Sequence, residues 1–258
     1  MIRASIAAIA VFLTASMTPT LSSAVEIKLL AAGALAQVLG ELVPQFEKDT
    51  GHRVSVVYGP IGALTDRLTK GEAADVAIVS DRQVDELEGS GKVLGGTRVD
   101  IARTGVGAFV RKDSPKPDIS SVDAFRRTLL AVPAVTYADP ASGGAAGIYV
   151  ARLMERMGIS AEMNKRTKFD PRGGLLMYQL VASGEATIGF DQISIILTQP
   201  TVELVGPLPE TIQNYTTFAA GIVATSHQAE TAQAFIKFLV SPSVQERMKA
   251  RGLQLGKS

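Results

Sequence analysis

Residues 26–47, EIKLLAAGALAQVLGELVPQFE, decide the fold. Ile27, Leu29 and Leu30 form a short apolar run of buried-strand type, whereas Leu35, Val38, Leu39, Leu42, Val43 and Phe46 recur at helical spacing. Between the two patterns lies Ala31-Ala32-Gly33-Ala34. A helix that starts there has first-turn N–H groups with no acceptor inside the helix, at the positive end of its dipole, and small side chains let an anion approach them. Gly33 and Ala34 are therefore candidate binding positions.

The same pattern recurs downstream. Tyr58-Gly59-Pro60-Ile61-Gly62-Ala63 precedes the helical run Leu64 to Lys70, and Ala141-Ser142-Gly143-Gly144-Ala145-Ala146-Gly147 precedes Ile148 to Met157. Asp170-Pro171-Arg172-Gly173-Gly174 precedes Leu175 to Ala182. Strands are expected at Val54 to Tyr58, Ala74 to Val79, Ala134 to Tyr137 and Ala186 to Phe190, with helices between them. That alternation predicts an α/β design with parallel strands and crossover helices. Val99 to Val110 is a long β-rich segment and Phe218 to Ala224 an apolar return strand. Together they predict two lobes: Val25 to Thr104 with Ile212 to Ser258 in one, and residues 105–211 in the other.

Arg3, the apolar stretch Ile6 to Leu13 and the small residues Ser22-Ser23-Ala24 read as a secretory leader over residues 1–24, cleaved near Ala24. Cysteine is absent, which excludes disulfides, thiolate ligands and a cysteine nucleophile. An exported chain without disulfides suits a bacterial periplasm. Lysine and arginine number 26 against 25 acidic residues, so there is no basic excess for nucleic acid and none is expected as a partner.

An enzyme reading has little to stand on, and no catalytic residue is expected. His52 and His227 are the only histidines, and no Gly-x-Ser-x-Gly elbow or phosphate-binding loop occurs. Asp75, Asp81 and Asp191 read as caps or hydrogen-bond braces at strand ends before they read as metal ligands. No metal and no cofactor is expected.

A family resemblance rests on Leu30-Ala31-Ala32-Gly33-Ala34-Leu35, on the run from Ala63-Leu64 through Gly71 to Ala74-Asp75-Val76, and on Ser80-Asp81. It continues at Ala146-Gly147-Ile148-Tyr149, Arg172-Gly173, Ala234-Phe235, Phe238-Leu239 and Ser241-Pro242. In this order and spacing the chain resembles the periplasmic molybdate-binding proteins of ABC importers. The resemblance implies a two-lobed type II periplasmic-binding fold, with mixed sheets, helices on both faces and a hinge of crossing strands. It further implies a monomer that holds a small anionic solute in the cleft and hands it to a membrane permease.

The ligand positions depart from that pattern. Ala34 and Gly62 stand where the family usually supplies serine hydroxyls, Pro171 where it supplies a backbone donor, and Phe190 where it supplies a tyrosine. The Ala146 entrance is retained. A lost hydrogen bond to a charged ligand costs roughly 1.5–3 kcal/mol, so molybdate and tungstate are expected to bind weakly and a bulkier anion, such as a carboxylate, better. Its contacts are expected from Ala34, Gly33, Tyr58, Gly62, Ala146, Gly144, Arg172, Gly173 and the Phe190 position. Two alternatives stand beside this reading: a genuine molybdate or tungstate binder using backbone donors, and an exported enzyme or ligand-sensing module acting on a small carboxylate.

Overall fold

A computed structural model describes residues 24–170 and 175–255. The expected leader up to residue 23 and the Pro171 to Gly174 entrance lie outside the described residues. The chain begins with β1 (Glu26–Ala32), α1 (Ala36–Thr50), β2 (Arg53–Gly59), α2 (Ile61–Thr69), β3 (Val76–Ser80) and α3 (Asp81–Gly89), before the long β4 (Val99–Arg111). There follow α4 (Val122–Ala131), β5 (Val135–Ala138), α5 (Ala145–Arg156), α6 (Ser160–Asn164), β6 (Thr167–Asp170), α7 (Leu176–Ala182), β7 (Ile188–Gln192), α8 (Ile193–Ile196) and β8 (Val202–Pro207). The chain ends with β9 (Tyr215–Ile222), α9 (Ala229–Leu239), α10 (Pro242–Ala250) and β10 (Gln254–Leu255).

The mixed α/β class is as the alternation predicts. β1 pairs in parallel with β2 and β3, and β5 in parallel with β6 and β7, each pair being joined through a helix. The two parallel sets meet through β4. Its first part, Val99 to Gly105, runs antiparallel to β9, and its second part, from Val106, runs antiparallel to β7 and β8. One strand therefore belongs to both sets, and the Gly105–Val106 step is where it changes partners.

The buried side chains divide in the same way. Leu30, Leu39, Phe46, Ile78, Phe218 and Phe235 belong to one apolar cluster. Val106, Phe125, Tyr137, Leu153 and Phe190 belong to a second, and Phe109, Tyr178, Val181 and Ile196 to a small third. At the crossing, the Gln213 side chain imitates a strand neighbour: its Oε1 accepts from Val106 N at 2.9 Å and its Nε2 donates to Val106 O at 3.0 Å. This keeps the backbone of β4 paired where the sheet is changing hands.

Several elements depart from expectation. β6, α6, α8 and β10 are short and were not foreseen, and β7 runs two residues past Phe190. That extension carries Asp191 and Gln192 into buried surroundings. Both are satisfied there: Tyr178 Oη donates to Asp191 Oδ2 at 2.6 Å, and Gln192 Nε2 donates to Thr216 Oγ1 at 3.0 Å. Buried polar groups persist where such partners exist.

Candidate functional site

A cavity of about 250 Å³ lies between the β1–β2–β3 side and the β5–β6–β7 side. Its first wall is built by Ala32, Gly33 and Ala34 after β1 and by Tyr58, Gly59, Pro60 and Ile61 after β2. The opposite wall comes from Gly144 to Gly147 at the start of α5, with Ala138, Ser142, Met177, Asp191, Gln192 and Ile195.

Local sequence explains why helix starts face this space uncapped. Asp139 Oδ1 accepts from Ala141 N at 2.9 Å, closing a short 3-10 turn that ends at Gly143 with φ +77. Gly144 then returns to an extended conformation as the α5 cap, with no side-chain hydrogen bond. Ile148 N is the first amide bonded into the helix, to Gly144 O at 3.1 Å, so the amides of Ala145, Ala146 and Gly147 precede the ladder. At α2 the cap is Pro60, again without a side-chain bond, and Leu64 N is the first amide in register. The turn after β1 is likewise uncapped at Ala32. By contrast, Ser80 and Ser121 accept from first-turn amides of α3 and α4. The helix starts on the cavity thus keep their donors and dipole ends available to an anion.

Gly147 fixes how close α5 comes. A Cβ there would sit 2.1 Å from Ala138 O, so only glycine lets the helix start press against the end of β5. Beside the cavity, Gly62 meets Gly143, and a Cβ on Gly62 would lie 3.8 Å from Gly143 Cα.

Among the described lining residues there is no lysine, arginine or histidine. Tyr58 and Asp191 are the titratable side chains. Partial desolvation raises the Tyr58 phenol above its ordinary value. Burial, reinforced by the charge of Asp170, pushes Asp191 up to about 6, against the opposing hydrogen bonds from Tyr178 and from Gln192 N. The wall therefore holds one carboxyl that takes up a proton in the mildly acidic range.

The structure brings Gly33, Ala34, Tyr58, Gly144 and Ala146 together in the lining of this cavity. Gly62 stands next to it at the Gly143 contact rather than in its lining. Phe190 is not a cavity residue: it is fully buried and packs edge-on to Phe125 at 5.7 Å. The residue two positions on, Gln192, lines the cavity in its place. Arg172 and Gly173 lie outside the described residues. Sequence reasoning gave no place to Gln192 or Met177, and it read Asp191 as a strand-end brace, which its bonds to Tyr178 and Gln192 N bear out, without placing it in the cavity lining. For Gln192 the two-residue spacing from Phe190 was the available signal, since i and i+2 share a strand face. Among the described residues no group of three or more metal-ligating acidic, histidine or cysteine side chains comes together, and no helix is long and apolar enough to cross a membrane.

Comparison with known proteins places these features in context. A family model described as bacterial extracellular solute-binding protein matches residues 27–254. The chain is 31% identical over 245 residues to an aconitate isomerase from a Pseudomonas species, covering 92% of this chain and 91% of that one. It is 26% identical over 261 residues to the molybdate-binding protein ModA of Azotobacter vinelandii, covering 97% and 98%. Among solved structures, the substrate binding domain of a putative molybdenum ABC transporter from Clostridium difficile superposes with a TM-score of 0.73 at 20% identity, covering 91% of this chain and all of that one.

Proposed function

The chain belongs to the bacterial extracellular solute-binding protein family, and we propose that it captures a small polycarboxylate of the aconitate type between two lobes. The observation that carries this reading is the cavity itself: uncapped helix starts at Ala32, Pro60 and Gly144 facing a space lined mostly by small residues, with Ala34 in its wall where the molybdate-binding resemblance implies a serine. Carboxylate oxygens spread along a carbon skeleton can reach several separated helix starts, whereas a compact tetrahedral ion needs its donors converging on one point. The 31% identity to an aconitate isomerase supports the choice of acid.

In this reading Val25 to Thr104 with Ile212 to Ser258 forms one lobe and residues 105–211 the other, hinged where β4 changes partners. Gly33, Ala34, Gly144 and Ala146 offer backbone donors, Tyr58 a hydroxyl, and Arg172 a cation for a ligand carboxylate. The protein acts in the periplasm after removal of its leader near Ala24, as a monomer that delivers its solute to the permease of an ABC importer. A second reading, that the bound acid is also chemically changed, is favoured by the Asp191 carboxyl in the cavity wall.

Titration calorimetry with trans-aconitate, citrate and molybdate tests the proposal. The expected result is tight binding of an organic acid and weak binding of molybdate. Submicromolar molybdate binding with no response to the acids would return the protein to a plain oxyanion carrier.

A further inference from the structure

Asp191 is an unusual residue to find in the wall of an anion site. It is 6% exposed, lines the cavity, and lies one residue before the end of β7. A carboxylate at that place repels an anionic ligand, and a structural brace could be made with asparagine at no electrostatic cost. Its surroundings nevertheless hold it in one orientation. Tyr178 Oη donates to Oδ2 at 2.6 Å, and Gln192 N donates to Oδ1 at 2.7 Å. The Tyr178 ring is itself fixed, stacked on Phe109 at 4.7 Å.

We propose that Asp191, held by Tyr178 in the wall of the cleft, is the acid–base group of a proton shift within a bound unsaturated polycarboxylate. The inference rests on the polycarboxylate reading above and adds an activity to it. The step is balanced without any co-reactant. Asp191 removes a proton from the methylene carbon next to a double bond and a carboxylate: the C–H bond breaks, an O–H bond forms on the Asp191 carboxyl, and the electron pair delocalises across the allylic unit. The same carboxyl returns the proton to the far carbon of that unit, so the double bond moves by one position and nothing is oxidised or reduced. The departing charge spreads toward carboxylates that face helix starts, where dipoles and amides stabilise it.

The groups facing Asp191 suit this role. From α7 come Met177 and Tyr178, from its own strand Gln192, and on β4 the paired position is Gly107, which has no side chain. Asp170 at the end of β6 adds a negative charge that opposes ionisation. Burial and that charge push the carboxyl up to about 6, near the value at which a general base is both available and effective. Tyr178 acts as a positioning residue, since its hydroxyl bond favours the ionised form of Asp191.

The test is carbon-bound proton exchange of trans-aconitate in heavy water, followed by NMR, with binding measured in parallel by calorimetry on the full chain. The expected result is deuterium entering the methylene and vinyl positions with wild-type protein, and the opposite geometric isomer appearing. Asp191→Asn should lose exchange by about a hundredfold or more while still binding the acid. Tyr178→Phe should keep binding and move the pH midpoint of exchange upward, a shift that simple loss of packing does not produce. That variant also carries the test if Asp191→Asn does not fold. Binding without exchange, exchange unchanged in Asp191→Asn, or an unmoved midpoint in Tyr178→Phe overturns the proposal and leaves the solute-capture reading standing. Absence of binding to any unsaturated polycarboxylate overturns both.

Discussion

Gly62 and Gly143 face each other across the cleft, with the Cβ position of Gly62 only 3.8 Å from Gly143 Cα. The two residues belong to opposite walls, at the start of α2 and just before α5. A methyl group would fit at this contact, but a large side chain would not.

Enlarging one of them should hold the cleft ajar. Gly62 carries no positive φ, so substitution there does not strain the backbone, whereas Gly143 has φ +77. Gly62→Ala is expected to be close to neutral, because 3.8 Å is ordinary van der Waals contact. Gly62→Trp should weaken ligand binding about tenfold or more with unfolding stability changed by less than about 1 kcal/mol. Calorimetry gives the affinity, and small-angle scattering should report a ligand-induced contraction in the wild type that the tryptophan variant lacks.

Gly147→Ala should behave in the opposite manner, as a stability variant. Its Cβ would lie 2.1 Å from a backbone oxygen, Ala138 O, which cannot swing aside as a side chain can. Either α5 or the end of β5 must shift, at a cost of about 3 kcal/mol. Urea unfolding measures this, and a loss under about 0.5 kcal/mol would mean that the helix start can move freely.

The fold was legible because the inner strands of the two parallel sets announce themselves by apolar runs and the longer helices by their spacing; Leu30 and Ile78 behave as read. The small-residue entrances at Gly33, Ala34, Gly144 and Ala146 were equally visible, since their chemistry is local. Asp191 and Gln192 were not. What lets them be buried is a hydroxyl partner thirteen residues away for one and twenty-four for the other, supplied by Tyr178 and Thr216. No local pattern carries a pairing at that distance. β6 escaped notice for a simpler reason: at its edge position Thr167 is only partly buried and Lys168 and Phe169 are exposed, so their pattern lacks the apolar run of an inner strand.

Asp191 gives a stability signature in pH. Its folded-state value is raised from 3.8 to about 6, so the native state holds this proton more tightly than the unfolded chain does. The native state then binds more protons between about pH 4 and pH 6, and this group's contribution to stability falls as pH rises through that window. Above it the penalty of a buried carboxylate is complete, at most about 3 kcal/mol. Asp191→Asn should remove the penalty, making the variant more stable than wild type near neutral pH and flattening the slope between about pH 4 and pH 6. Glu72 gives the contrary sign. Hydrogen bonds from Arg67 and Lys28 lower it to about 2, so its contribution is present above its unfolded value and is lost as pH falls toward about 2. Unfolding of wild type and Asp191→Asn across both ranges separates the two effects.

Ala34 and Gly62, the two positions where the resemblance implies serine, differ in place. Ala34 lines the cavity, whereas Gly62 lies against Gly143 outside its lining. If the loss of side-chain donors is what turns the site away from small oxyanions, restoring one where it can reach the ligand should bring them back. A serine at 34 adds a hydroxyl on the cavity wall, worth roughly 1.5–3 kcal/mol toward a charged ligand, which is about tenfold or more in affinity. A serine at 62 points its hydroxyl toward the Gly143 contact and should gain much less. Ala34→Ser is therefore expected to strengthen molybdate binding at least about tenfold and Gly62→Ser by less than about threefold, as read by calorimetry. Equal gains at both positions would mean that the α2 start turns toward the ligand when an oxyanion is bound. No gain at position 34 would mean that the ligand sits away from the Ala34 side chain, and the change of specificity would then have to come from the opposite wall, around Asp191 and Gln192.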